Sequence, residues 1–212
     1  MTPKQQHYEN LANTIIKNLE KRHMKGTYFP TGKEASDHIM SLIPKGASVS
    51  CGGTMSAEET GLKQALMARE DITGYFRRSD MSPEEIEDIY HKALSCDYYL
   101  MSTNGITIDG ELFNIDGRGN RTAALIYGPK QVLILCGMNK VAHSLDACIE
   151  RVRNIASPAN CIRLDRNTPC AATGRCADCF SPDTICSQFV YTRHSAVPGR
   201  IHVILVGEEL GY

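Results

Sequence analysis

The chain has 212 residues, 23 Lys plus Arg against 24 Asp plus Glu, a formal net charge of −1 and nine cysteines. A balance this even argues against a nucleic-acid or membrane-surface protein, which would carry a basic face, and no apolar run approaches the roughly 18 residues needed to span a bilayer. The length suits one domain with a sizeable core, and the opening MTPKQQHYENLANTIIKNLEKR lacks the apolar centre of a signal peptide, so the cysteines are expected in a reducing cytoplasm, where structural disulfides are uncommon.

In chain order, Tyr8 to Lys21 reads as an amphipathic helix with Leu11, Ile15, Ile16 and Leu19 on one face. Thr31 and Glu34 have the spacing of a capping box and open a helix that ends near Pro44. Ala47 to Cys51 is a short strand running into Gly52-Gly53, after which Ser56 with Glu59 is expected to cap another helix. Ser82, Pro83 and Glu85 start a further helix whose acidic first turn and later His91 and Lys92 both suit the helix dipole. DYYLMSTNG is a buried strand ending in a polar turn, and ITIDGELFNI, with Asp109-Gly110 between alternating apolar residues, is a hairpin.

Two near-continuous apolar runs, TAALIYG and QVLILCG, have strand length and flank a turn at Gly128-Pro129. Lys140 to Ile155 carries a helical stripe of Val141, Leu145, Cys148, Ile149 and Val152 that is expected to stop before Pro158. QFVYT and RIHVILVGEEL supply two more strands. The expectation is one α/β domain: a mostly parallel sheet flanked by helices, with a β-hairpin, and with a cysteine-rich loop (161–186) inserted before the last strands.

In open α/β sheets ligands bind beyond the carboxyl ends of strands. Two segments fit. At the first, Gly52 and Gly53 clear side chains from a strand-to-helix turn so that backbone N–H groups can approach an anion, and Thr54 and Ser56 add hydroxyl donors; Glu58 and Glu59 compete for the same positive helix end. An ordinary capped turn explains the same residues. At the second, Ser102, Thr103 and Asn104 leave a buried strand, and Arg121 in a polar glycine-rich turn has the geometry to grip a carboxylate or phosphate through two N–H groups, unless it pairs with Asp116 to close the turn. The expectation is that Gly52, Gly53 and Thr54 meet Ser102, Thr103, Asn104 and Arg121 in one cleft. The histidines are scattered and form no readable catalytic order.

Cys51, Cys96, Cys136 and Cys148 lie in or beside apolar runs and read as small core residues. Cys170, Cys176, Cys179 and Cys186 are different: four thiols with spacing C-x5-C-x2-C-x6-C around Gly174. Four thiolates complete a tetrahedral Zn²⁺ site or the corners of a [4Fe-4S] cluster. The spacing follows neither the zinc-ribbon nor the bacterial ferredoxin pattern, so the residues favour a metal centre without identifying the metal; reduced thiols in a loop and, after them, disulfides are the alternatives. Cys161, nine residues upstream of Cys170, stands outside this set.

Taken together, GGTMSAEETGL, STNGITIDGELFNIDGRGNRTAALIYGPKQVLIL, TPCAATGRCADCFSPDTIC and GRIHVILVGEELGY resemble the LUD domain family of lactate-utilisation proteins over nearly the whole chain. The resemblance implies a fold like that of NagB, ribose-5-phosphate isomerase and CoA transferases, and a bacterial cytoplasmic protein associated with oxidation of L-lactate to pyruvate alongside iron–sulfur redox subunits. That redox setting tilts the metal towards [4Fe-4S] over zinc. Larger members join the domain to ferredoxin-like segments whose C-x2-C-x2-C runs are absent from this chain. Two functions are compatible with these features. In one, the chain is a ligand-binding accessory or subunit of a lactate-oxidising system, holding a small carboxylate or phosphate; a homo-oligomer is compatible with this. In the other, it is a free-standing enzyme of the CoA-transferase and isomerase type with Glu58 or Glu59 as base or nucleophile.

Overall fold

The computed structural model describes all 212 residues. In chain order it contains α1 (Pro3–Lys21), β1 (Lys25–Phe29), α2 (Gly32–Leu42), β2 (Ser48–Cys51), α3 (Met55–Glu59), α4 (Leu62–Met67), β3 (Thr73–Tyr75), α5 (Pro83–Ala93) and β4 (Tyr98–Met101). Beyond these lie β5 (Gly105–Thr107), β6 (Leu112–Asp116), α6 (Asn120–Ile126), β7 (Gln131–Gly137), β8 (Val141–Ala142), α7 (Leu145–Arg151), α8 (Ser157–Arg163), α9 (Pro169–Thr173), β9 (Gln188–Thr192) and β10 (Ile201–Val206).

Six strands form one sheet in the order β1-β10-β7-β4-β2-β3, and every neighbouring pair runs parallel. The other four make a smaller mixed sheet, β8-β5-β6-β9, built on the antiparallel hairpin of β5 and β6. Alternate side chains of the central strands go to opposite faces of the large sheet. Val132, Ile134 and Cys136 with Val203 and Leu205 meet Ala12, Ile15 and Leu19 of α1. Leu133, Leu135, Ile204 and Val206 meet Ala35 and Ile39 of α2 on the other face. Burial on both faces explains why QVLILCG reads as a near-continuous apolar run, and Val203 to Val206 of β10 are buried in the same way.

The capping boxes at Thr31–Glu34 and Ser82–Glu85 form as the spacing predicts. Four local expectations change. The cap of α3 is Thr54, whose hydroxyl accepts from the Ala57 N–H at 3.4 Å; Ser56 lies inside the helix and turns to the core. The run TAALIYG is largely helix α6, not a strand. Gly119 opens it at φ +87, a conformation that favours glycine, the two alanines suit a helix, and Ile126 and Tyr127 point to solvent. A short apolar run does not by itself separate the two structures.

The stripe after Lys140 begins later than expected, at Leu145 behind the Ser144 cap, because Met138–Lys140 form a 3₁₀ turn and Val141–Ala142 a strand. It also does not stop before Pro158. A π-helical turn, Val152–Ala156, widens the backbone ahead of the proline, and α8 continues from it. The resulting rod packs Cys148, Val152 and Ala156 against Phe113 and Ile115 of the small sheet. Gly105 makes the approach close: a Cβ there would lie 2.4 Å from the Cys148 sulfur. Strands β1 and β3 and helices α4 and α9, all short, extend the picture drawn from the sequence.

Arg200 fastens α6 to the sheet. Its nearly buried guanidinium donates to the carbonyls of Ala124 (2.8 Å), Leu125 (2.7 Å) and Pro129 (2.9 Å), taking up orphan acceptors at the helix end. Arg200→Ala leaves three buried carbonyls without donors and is expected to cost about 3 kcal/mol of stability. Urea denaturation measures it, and an unchanged midpoint would refute this role.

Candidate functional site

Because β3, β2, β4 and β7 are parallel and adjacent, their carboxyl ends open on one edge. The residues just past each strand end line a single cleft of about 290 Å³: Arg77 after β3, Gly53 and Thr54 after β2, Ser102, Thr103 and Asn104 after β4, and Lys140 after β7. The far wall is the turn from β6 into α6, with Asp116, Arg118 and Arg121, together with Asn160 and Arg163 of α8 and nearby Arg166. Five arginines and a lysine thus face one acidic residue. Arg118 has an ion-pair partner in Glu87 and Arg121 lies 3.8 Å from Asp116, whereas Arg77, Arg163 and Arg166 pair with no carboxylate. Such a cleft holds a positive field at its mouth.

Arg121 does not serve as the expected fork for a ligand. One terminal nitrogen donates to the Ser102 carbonyl (3.1 Å) and the Asn114 side-chain oxygen (2.6 Å), and the other to the Asn104 side-chain oxygen (3.0 Å) and the Ile115 carbonyl (2.8 Å). All four terminal N–H groups are engaged within the protein. Asn104 completes the lattice, its N–H donating to Asn114 and its side-chain oxygen accepting from the Ile115 N–H. The residue therefore holds the β4 exit and β6 in place beneath the cleft. Gly52 serves Arg121: a Cβ at that position would come within 3.2 Å of the arginine stem and 2.9 Å of the Tyr99 hydroxyl.

The two glutamates lie off the cleft. Glu58 is held by Lys63 at 2.5 Å and by Gln64 at 2.8 Å, and Glu59 accepts the Gly211 N–H at 2.7 Å. Neither lines the cavity in which Ser102 and Arg121 sit.

Lys140 lies at the floor and is only 3% exposed. Its Nζ donates to the hydroxyls of Ser56 and Ser102, each at 2.9 Å, and no carboxylate pairs with it. Removal from water brings its ammonium pKa down to about 8. The sequence pattern places this residue at the start of a helix and gives it no role in a site. The one usable signal is its position three residues past the apolar strand QVLILCG. The rim arginines carry no such signal, because they come from three separate segments.

The cysteine-rich loop borders a second cavity of about 460 Å³, which shares Ile115 and Ser157 with the cleft. Cys170, Cys176, Cys179 and Cys186 all line it, as does Cys161. Burial raises the Cys186 thiol pKa, assisted by Cys170, Cys176 and Cys179, and burial pushes Cys161 up to about 11. Arg153 reaches Cys176 sulfur at 3.5 Å and Asp178 at 2.6 Å, and the Cys176 N–H donates to Asn154. No three His, Cys, Asp or Glu side chains converge closely enough to ligate one ion as they stand. Cys96, Cys136 and Cys148 are buried, with thiols pushed up to about 11 by removal from water.

Arg121→Met removes four hydrogen bonds from a partly buried lattice and is expected to cost about 3 kcal/mol. Urea denaturation of the variant checks this, and a loss below about 1 kcal/mol would mean that the lattice does not depend on Arg121.

Compared with known families, residues 12–206 match the LUD domain. No curated protein matches the chain. In structure it is similar to a DUF162 family protein from Deinococcus radiodurans, with a TM-score of 0.54 and 14% identity over 94% of this chain and 98% of that one. A weaker likeness, to eIF2B beta from Chaetomium thermophilum, has a TM-score of 0.38 and 14% identity over 53% of this chain and 43% of that one. With the family match running through almost the whole fold, from α1 to the end of β10, the chain belongs to the LUD domain family, which is linked to lactate utilisation.

Proposed function

We propose that the cleft binds a small carboxylate or phosphate and that the chain acts in oxidation of L-lactate to pyruvate as a ligand-binding accessory or subunit of a redox system. The observation that carries this reading is the excess of cationic groups: Arg77, Arg163 and Arg166 without carboxylate partners, over Lys140, with Asp116 as the single acid. The rim guanidiniums attract the anion, and Thr54, Thr103, Asn120 and Asn160 add uncharged polar groups to the lining. Charge-assisted hydrogen bonds contribute roughly 1.5–3 kcal/mol each, so two or three hold a small carboxylate only weakly once the entropy of association is subtracted. Calorimetric titration with pyruvate, L-lactate and inorganic phosphate tests it. Replacing Arg163 and Arg166 together by Ala should weaken binding about tenfold or more, the loss of one charge-assisted bond; unchanged affinity would remove the cleft as the site.

The same reading assigns Cys170, Cys176, Cys179 and Cys186 as ligands of a metal centre, [4Fe-4S] in preference to zinc. Their common position on one cavity wall supports it, and to ligate, the loop has to draw the sulfurs inward, to about 2.3 Å in the case of zinc. When bound, the cluster supplies one-electron transfer. Elemental analysis of anaerobically purified protein should find iron and sulfide, while metal-free protein with four titratable loop thiols would sink the assignment. The isolated chain is expected not to reduce an acceptor dye with L-lactate and to do so once its iron–sulfur partners are added. Dye reduction by the chain alone would overturn the accessory role. A transferase or isomerase acting through Glu58 or Glu59 gains no support from the positions of those side chains.

A further inference from the structure

A lysine without a carboxylate partner is seldom left inside a protein. Lys140 is held there between two serine hydroxyls at 2.9 Å. The two serines differ in access. Ser56 is fully enclosed, its hydroxyl also donating to the Leu210 carbonyl at 3.2 Å, while Ser102 is 8% exposed and lines the cleft. A nucleophile within hydrogen-bond reach of a base, with that base oriented by a third group, is the arrangement of covalent catalysis by a side-chain hydroxyl. Serine–lysine pairs are one of its known forms.

We propose that Ser102 is a nucleophile, that Lys140 is its general base and Ser56 the group that orients Lys140, and that the cleft transfers or hydrolyses an acyl group carried by an anionic ester or thioester. The preference for an anionic carrier rests on the anion-binding reading of the cleft; the serine–lysine chemistry does not.

In the step itself, neutral Lys140 takes the Ser102 hydroxyl proton as the oxygen attacks the acyl carbon. The new C–O bond forms while the carbonyl π electrons move to oxygen. Collapse of the tetrahedral intermediate breaks the bond to the leaving group, which departs with the proton from Lys140 and leaves an acyl-serine. Water, deprotonated by Lys140, then attacks the acyl carbon; the ester to Ser102 breaks and Ser102 recovers its proton. The sum is acyl carrier plus water to acid plus free carrier. Ser102 now donates to the Thr103 carbonyl at 3.2 Å; turning its hydrogen to Lys140 needs no movement of heavy atoms.

The reaction should accelerate as Lys140 loses its proton, near pH 8. The other groups facing Lys140 are Cys136 on β7, Arg151 on α7, Arg121 on α6 and Glu59 on α3. The arginines keep their charge across this range, and burial pushes Cys136 up to about 11.

The test uses the full chain with a fluorophosphonate probe, which serine attacks at phosphorus with loss of fluoride, and locates the label by peptide mass spectrometry. Labelling of Ser102 should be about tenfold or more faster at pH 9 than at pH 6, be absent in Ser102→Ala, and fall about a hundredfold or more in Lys140→Arg, whose guanidinium cannot take a proton. Ser56→Ala should retain labelling at a reduced rate, and it carries the lysine half of the test if thermal melting shows Lys140→Arg to be unfolded. No label on Ser102 in folded protein at pH 9 overturns the proposal, as does a folded Lys140→Arg variant that labels like the parent. Release of nitrophenol from mono-4-nitrophenyl succinate and from 4-nitrophenyl acetate separates the two readings. Faster acylation by the anionic ester supports both. Equal rates support the serine–lysine pair and reject the anion preference, and loss of both reactions rejects the pair while the binding titrations stand apart.

Discussion

Every strand of the large sheet runs the same way, and the rest of the molecule depends on that. Parallel neighbours cannot be joined by tight hairpins, so each return crosses a face of the sheet and covers it. Both faces are then dry, and the strands that survive there are apolar on both sides. The same constraint gathers the carboxyl ends of β3, β2, β4 and β7 along one edge. Polar groups denied to the strands are concentrated in the few residues just beyond each of them, which is why Thr54, Ser102 and Lys140, far apart in the chain, come together at one place.

Two cations hold this edge, Arg121 partly buried and Lys140 buried, and they differ in kind. Arg121 spends its donors on fixed carbonyl and side-chain oxygens, so its charge is spread over a rigid lattice and its planar fork suits the task. Lys140 meets only hydroxyls. Hydroxyls serve the ammonium as acceptors and the neutral amine as donors, and so tolerate either protonation state. One cation stiffens the frame, and the other remains able to exchange a proton inside it.

Strand-like alternation, the capping boxes at Thr31 and Ser82 and the Asp109-Gly110 turn are legible in the sequence because each depends on residues within a few positions of one another. So is the meeting of the β2 and β4 exits, which comes from strand polarity. The run TAALIYG reads wrongly as a strand because a short, mostly apolar stretch satisfies either structure, and the choice is made by Gly119 and by packing with Arg200, some seventy residues away. Arg121 stands out in the sequence, but its partners do not: its acceptors, Asn104 and Asn114 among them, become neighbours only when β5 and β6 pair. Lys140 escapes notice because the serines that hold it, Ser56 in α3 and Ser102 just past β4, come from distant parts of the chain.

The order of the strands in space also bears on how the chain is made. β10, the last strand in sequence, lies between β1 and β7 and is the only partner of β1. During synthesis the first strand has no mate until residues 201–206 have left the ribosome, and α1 and α2 wait with part of their apolar faces uncovered. Contacts spanning most of the chain form slowly, so sealing of the core comes late in folding, and the partly folded chain is in the meantime exposed to aggregation.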